Sequence, residues 1–469
     1  MNRRRAKIIC TIGPASSDKK MLFSLISGGM DVARLNFSHG SHASHEKVIR
    51  TIREGRRRYK RPVTILQDLQ GIKIRVGLIK GGEAEIKKNS EVLIMPGEGT
   101  GDGKNLYVSY PLLLRDAKKG DRILLDDGLI QLRVTGKSNK ALKTDVIEGG
   151  IIRDRKGVNL PGMTISQSSF TEKDRADLEF GLRMQVDYVA MSFVRTAADI
   201  RAVKNWMTKK GRSIPVIAKI EKPEALCNID EILEAADGIM IARGDLGVEV
   251  SPEEVPLIQK GLIDKANKKG RIVITATQML ESMKEHLRPT RAEATDVANA
   301  VIDGTDALML SAETASGLHP LEAFRMMDRI ISFTEETQKP ASSYIRGDSY
   351  ADALADAACR AAEDICSKVL VAHTQSGFTA RLLSKFRPLT PIIAFTPDRS
   401  IMPRLSLYWG VTPKYIKPFK TIEQFLHEAE KILTEEKTVK KGDRIVLTAS
   451  SPLPTKGKTN FMKLHQIGE

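Results

Sequence analysis

The feature that most constrains this chain is a set of eight short, almost continuously apolar runs separated by stretches of helical periodicity. They are KIICTI at 7, DVARLNF at 31, VTILQDL at 63, DYVAMSF at 187, PVIAKIE at 215, GIMIAR at 238, RIVITAT at 271 and ALMLSAE at 307. Successive apolar side chains point to opposite faces of a strand, so such a run must be covered on both sides. Helical intervals between most of the runs imply parallel crossovers, and eight such units predict a (β/α)8 barrel in an α/β protein. Capping signals agree: Ser251, Pro252 and Glu254 start one helix, Thr290 and Glu293 another, and Thr171 precedes a helical pattern through Met184. Two segments fall outside the pattern. Residues 70–170, rich in Gly and Lys with alternating stretches such as RILLDDGLIQLRV, read as an inserted, mostly antiparallel β domain between barrel segments 1–69 and 171–338. Beyond a KPASS linker, VLVAHT, PIIAFT and DRIVLTA alternate with helical patterns, which predicts a separate α/β domain over 339–469.

Composition excludes several classes. No apolar stretch approaches the roughly 20 residues of a membrane span, and Met1 to Lys7 carry no apolar signal region, so a soluble cytoplasmic protein is expected. Cys10, Cys227, Cys359 and Cys366 are scattered without CxxC or metal spacing, which points to buried, reduced thiols. Basic residues outnumber acidic ones, 74 to 58, and RRRYKR at 56–61 invites a nucleic-acid reading. That cluster lacks interleaved aromatics and any recognition motif, so no specific nucleic-acid partner is expected. A basic balance equally suits an enzyme whose ligands are phosphorylated anions.

Polar residues concentrate at the C-terminal ends of the apolar runs, the face on which barrel enzymes build their sites. Lys219 and Glu221 are two apart on one strand and therefore share a face. Asp245, ending the next run, adds a second carboxylate, and two hard oxygen ligands suit Mg²⁺ or Mn²⁺ beside phosphate. Arg34, Asn36 and Ser38 share a face of the second run, where a guanidinium can grip a phosphate. Thr277 ends the seventh run, and the backbone N–H groups of Gly244 and Asp245 open onto a short helix that could bind a carboxylate. His39 reads equally as a ligand or as a local structural imidazole.

Eight motifs in order, CTIGPAS, ARLNFSHG, KGVNLPG, IAKIEKPEAL, ARGDLGVE, ATQMLESM, PTRAEATDVANAV and LMLSAET, make the chain resemble pyruvate kinases over essentially its whole length. The resemblance implies a barrel domain, an inserted small β-barrel lid, a C-terminal allosteric and oligomerisation domain, and a homotetramer. It implies transfer of a phosphoryl group from phosphoenolpyruvate to ADP, giving pyruvate and ATP in the last step of glycolysis. Carried over residue by residue, Arg34 holds the transferring group, Glu221 and Asp245 hold the divalent metal, and Lys219 stabilises the transition state. Thr277, Gly244 and Asp245 take the substrate carboxylate, while Arg75 and Lys156, with Asn36, Ser38 and His39, serve the nucleotide.

One segment departs from the family pattern. Asp68, Leu69, Gln70, Gly71, Ile72 and Lys73 stand where many relatives carry Thr, Lys, Pro and Glu around a K⁺ site. Leu69 removes a hydroxyl ligand and Lys73 brings its own ammonium, so Asn36, Ser38 and Asp68 are expected to be remnants of that site and K⁺ to be dispensable. Thr374, Ser376, Gly377 and Thr379 at a helix N-terminus resemble the family's effector loop, together with TKGKTN at 455–460, and imply a sugar-phosphate or nucleotide effector. Two rival readings stand beside this one: a barrel lyase with Lys219 as a Schiff base, and an inactive RNA-binding homologue.

Overall fold

The computed structural model describes residues 4–337, 349–450 and 459–469. All eight apolar runs are strands of one closed parallel barrel: Lys7–Thr11, Val32–Asn36, Thr64–Asp68, Tyr188–Met191, Val216–Ile220, Gly238–Ala242, Ile272–Ala276 and Ala307–Leu310. The first strand closes the ring by pairing with both the second (Ile9 opposite Val32) and the eighth (Lys7 opposite Ala307). The two-faced apolar pattern has the expected cause. Ile9, Val32, Leu66, Ala190, Ile217 and Ile274 pack inside the barrel, while their neighbours Ile8, Cys10, Ala33 and Ile65 pack outward with the helices.

The predicted caps form, with Asp174 N donating to Thr171 Oγ1 at 3.1 Å and Glu293 N to Thr290 Oγ1 at 3.2 Å. Ser251 caps a single 3-10 turn, Pro252–Glu254, that leads into the helix Val255–Lys268.

The insertion leaves the barrel after the third strand and returns before the fourth, yet these two strands pair directly, Tyr188 opposite Leu66. It has its own apolar core. Its main sheet runs Val158–Asn159, Arg122–Leu125, Ile130–Lys137, Leu142–Glu148, Glu91–Pro96, Asn105–Val108, antiparallel except for the last pair. Residues 74–77 hydrogen bond to both edges: Val158 N donates to Ile74 O at 3.0 Å on one side, and Gly77 N to Tyr107 O at 2.8 Å on the other. The sheet therefore curls back on itself.

The C-terminal part is a five-stranded sheet in the order Val411–Tyr415, Ile392–Thr396, Val369–His373, Arg444–Ala449, Phe461–Gln466. It plugs the barrel floor. Leu407 is buried among the barrel-interior residues, Tyr188 Oη donates to Arg404 O at 3.3 Å, and Arg387 Nη1 pairs with Asp306 Oδ1 at 2.6 Å just before the eighth strand. The KPASS segment at 339–343 lies outside the described residues.

Two expectations need correction or closure. Cys10 and Cys359 are buried, but Cys227 and Cys366 are exposed, because both stand at helix ends that face solvent; all four are free thiols. In the RRRYKR cluster, Arg56 donates to Val63 O at 2.7 Å and Arg58 lies over the rings of Phe23 and Tyr59. Among the described residues no helix is long and apolar enough to cross a membrane.

Helix Glu172–Arg183 approaches the third strand so closely that a Cβ on Gly181 would lie 1.9 Å from Gln67 Oε1. Gly181→Ala is expected to cost about 1–3 kcal/mol through overpacking. Circular dichroism in denaturant checks this, and an unchanged midpoint would refute the close approach.

Candidate active site

The polar strand ends meet at the mouth of the barrel opposite the plugged floor. Asn36 and Asp68 are paired residues at the ends of the second and third strands, which brings Arg34 beside Asp68. Arg34 Nε and Nη2 both reach Asp68 Oδ2 at 2.7 Å, and Nη1 donates to Thr11 Oγ1 at 2.9 Å. Lys219 Nζ lies 2.8 Å from Glu221 Oε1, donates to Ser192 Oγ at 2.8 Å, and stands 3.4 Å from Asp68 Oδ1, an oxygen without a hydrogen-bond partner. Phe193 N donates to Glu221 Oε2 at 2.6 Å.

Electrostatics follows from this packing. Burial opposes ionisation of Asp68, but Lys219 and Arg34 outweigh it and hold the carboxyl below its usual range. Burial likewise opposes the Lys219 charge, yet Asp68 and then Glu221 hold the ammonium above its usual range. Glu221 is lifted, first by burial and, against the pull of Lys219, by repulsion from Asp245. Two mutually repelling carboxylates, one buried and one exposed, are a donor set of the kind that suits a divalent cation. Among the described residues no group of three or more His, Cys, Asp or Glu gathers for a metal.

Asp245 is exposed in the first turn of the helix Arg243–Glu249. Gly244 N is not free as expected: it donates to Thr277 Oγ1 at 2.8 Å, while that hydroxyl donates to Ala276 O at 2.6 Å. Thr277 and Gln278 both adopt left-handed backbone, φ 67° and 54°, a costly pair for side-chain-bearing residues. Arg243 holds them there, Nη2 donating to Thr277 O at 2.6 Å and Gln278 O at 2.9 Å, with Nη1 on Asp296 Oδ2 at 2.6 Å. A cleft of about 80 Å³ lies between barrel and insertion, lined by Phe193, Arg195, Lys222 and Asp245 on the barrel and by Lys73, Asp127, Gly157 and Asn159 on the insertion.

The sequence pattern of the pyruvate kinase barrel domain matches residues 3–324, and that of the pyruvate kinase alpha/beta domain matches residues 352–465. A pyruvate kinase of Geobacillus stearothermophilus is 45% identical over 478 residues, covering 100% of this chain and 81% of the relative. One of Staphylococcus aureus (strain MRSA252) is 44% identical over 473 residues, with 99% and 81% covered. The solved structure of a pyruvate kinase from Cryptosporidium parvum superposes with a TM-score of 0.93 at 36% identity, covering 99% of this chain and 96% of that one.

The chain belongs to the pyruvate kinase family. It is a family of phosphotransferases, and the remaining positions singled out by resemblance to pyruvate kinases can be located in the same frame. Arg75 and Lys156 sit on the insertion, Arg75 Nη1 donating to Arg155 O at 2.8 Å and Lys156 Nζ pairing with Asp126 Oδ1 at 2.9 Å. Asn36 Oδ1 accepts from Ser38 N at 3.0 Å. His39 is exposed, its imidazole held below its usual range by partial burial and then by Lys73, Arg75 and Arg34. Leu69 is buried, and its carbonyl accepts from Ser192 Oγ at 2.7 Å. Lys73 keeps solvent contact on the cleft wall. Desolvation there and the nearby Arg75 lower its pKa, against attraction from Asp245 and Glu221.

In the C-terminal part, Gly377 caps the helix Phe378–Lys385 with φ 91°, and its N–H donates to Thr374 Oγ1 at 2.9 Å. Ser376 is exposed, and Thr379 Oγ1 lies 2.8 Å from Thr459 Oγ1. Of TKGKTN, residues 455–458 lie outside the described residues.

Sequence reading passed over Ser192, Phe193 and Lys222, and noted Arg243 only as a polar strand end. Ser192 had a usable signal, being the polar residue that ends the fourth apolar run.

Asp68 makes a stability prediction. Its folded pKa is depressed, so its contribution is fully present above the unfolded value of about 3.9 and is lost as pH falls through the folded one. Asp68→Asn leaves two buried cations underpaired and is expected to cost about 3–5 kcal/mol. In denaturation series the gap from the parent should stay constant from pH 7 down to about 4 and shrink only below it. A gap that closes at higher pH would show Asp68 is not held by these cations.

Proposed function

We propose that this chain transfers the phosphoryl group of phosphoenolpyruvate to ADP, forming pyruvate and ATP, the last step of glycolysis. The observation that supports this best is the convergence of Arg34 and Lys219 on Asp68 beside the Glu221 and Asp245 carboxylates. Phosphoryl transfer needs alignment and neutralisation of negative charge rather than covalent help from the protein. Arg34 supplies a guanidinium to the transferring group. Lys219, kept protonated by Asp68 and Glu221, supplies positive charge to the oxygen on which the enolate develops. Thr277 and the backbone N–H groups of Gly244 and Asp245 receive the substrate carboxylate, which displaces the Thr277 hydroxyl from the Gly244 N–H, and the freed hydroxyl can pass a proton toward the enolate. Glu221 and Asp245 would hold a divalent ion, Mg²⁺ or Mn²⁺, which would supply Lewis-acid charge at the site. The insertion, carrying Arg75 and Lys156, closes over ADP and excludes water.

The same reading extends to regulation and ions. Lys73 takes the electrostatic role of a monovalent cation, favoured by its attraction to Asp245 and Glu221 and by the missing hydroxyl at Leu69. The loop holding Thr374, Ser376, Gly377 and Thr379 takes a phosphorylated effector, and the chain works in the cytoplasm as a homotetramer. The Schiff-base alternative is disfavoured because a lysine held protonated is a poor nucleophile.

A lactate dehydrogenase-coupled assay tests the reaction. Lys219→Met should lower kcat by at least about 10²-fold, and an inactive parent chain would refute the reading. In K⁺-free tetramethylammonium buffer, added KCl should leave the rate essentially unchanged, whereas strong activation would refute the role of Lys73. Titration with sugar phosphates and nucleotides should shift phosphoenolpyruvate saturation, and indifference to all of them would remove the effector site.

A further inference from the structure

Two residues of the most recognisable motifs, Asn159 in KGVNLPG and Glu249 in ARGDLGVE, have no part in the phosphoryl transfer just described. They meet across the cleft. Asn159 Nδ2, on the insertion, donates to Glu249 Oε1 at 3.1 Å, and the same oxygen takes Lys222 Nζ at 2.6 Å. The Glu249 side chain is 1% exposed, and its Oε2 is buried without a hydrogen-bond partner. A buried carboxylate with a bare oxygen is expensive. Its position is also the wrong sign for the C-terminal end of the helix Arg243–Glu249, where a negative charge opposes the helix dipole.

Other ties between insertion and barrel lie at the connecting segments, where Arg195 Nη2 donates to Gln167 O at 3.1 Å and Gly71 N to Asp174 Oδ1 at 3.0 Å. Both bonds lie where the insertion joins the barrel. Away from these segments Asn159 hydrogen bonds to Glu249, and Gly128 lies beside Val248 of the same helix. Glu249 lies four residues after Asp245, on the same face of one short helix, so the anchor and the cleft carboxylate move as one piece.

We propose that Glu249 is a positioning residue, charge-balanced by Lys222, which captures Asn159 and holds the insertion shut over the cleft. Resting on the reading of the cleft as a phosphoryl-transfer site, this makes the latch a determinant of nucleotide affinity, since Arg75 and Lys156 ride on the insertion.

The test exchanges donor and acceptor. Asn159→Asp sets two carboxylates against each other, and adding Glu249→Gln restores one amide, one carboxylate and the Lys222 charge. In the full-length protein without substrates, Asn159→Asp should speed amide hydrogen exchange in residues 126–129 and 156–159 by about tenfold while leaving Leu142–Glu148 unchanged. It should raise KM for ADP by about tenfold, with KM for phosphoenolpyruvate moving less than about twofold. The double variant should recover most of both effects. The proposal is overturned if Asn159→Asp matches the parent in exchange, or if the double variant exchanges no more slowly than the single one. A parent chain that makes no pyruvate would sink the functional reading, and the exchange comparison would still decide the latch.

Discussion

The mouth of the barrel depends on one buried carboxylate. Asp68 is gripped through Oδ2 by Arg34 and approached through Oδ1 by Lys219, and the same lysine pairs with Glu221. Without it Arg34 would lose its carboxylate partner and Lys219 one of two, and an uncompensated charge in low dielectric is far costlier than a paired one. Three strands are thereby tied at their C-terminal ends by charge, above a ring that is otherwise held by backbone pairing and apolar packing. The two cations are thus balanced by two carboxylates, Asp68 and Glu221, at the ends of these strands.

The two ends of the barrel are treated differently. At the floor, the C-terminal part inserts Leu407 and engages Asp306 through Arg387, which closes the interior with apolar and paired groups. At the mouth, Arg243 spends its guanidinium on holding Thr277 and Gln278 in left-handed backbone. The two ends are thus built differently, by a turn held by one guanidinium at the mouth and by apolar packing with an ion pair at the floor.

Legibility in the sequence followed the range of the interaction. The strands were readable because two-faced burial leaves a local apolar signature, and Lys219 with Glu221 was readable because period two is local. The Arg34 to Asp68 pair was not, because it depends on the register between two strands. The Gly244 N–H was expected to be free, but the fold of a loop from the next strand brings the Thr277 hydroxyl onto it. The two exposed cysteines show the same limit, since composition predicts burial on average while helix ends decide it at Cys227 and Cys366. Lys222 and Glu249 come from successive crossovers, and nothing in either segment announces the other.

The direct pairing of the third and fourth strands has a consequence for how the molecule is made. The insertion departs and returns at neighbouring positions of the ring, so its length imposes only a loop-closure cost that grows by about 0.6 kcal/mol per doubling. The seam of the ring, Lys7 against Ala307, joins residues from opposite ends of the barrel sequence. During synthesis the inserted module has all its own partners available long before that seam can be sewn, so the nascent barrel waits as an open, sticky sheet on the ribosome. The interval before the eighth strand emerges is therefore when this polypeptide has most need of a chaperone.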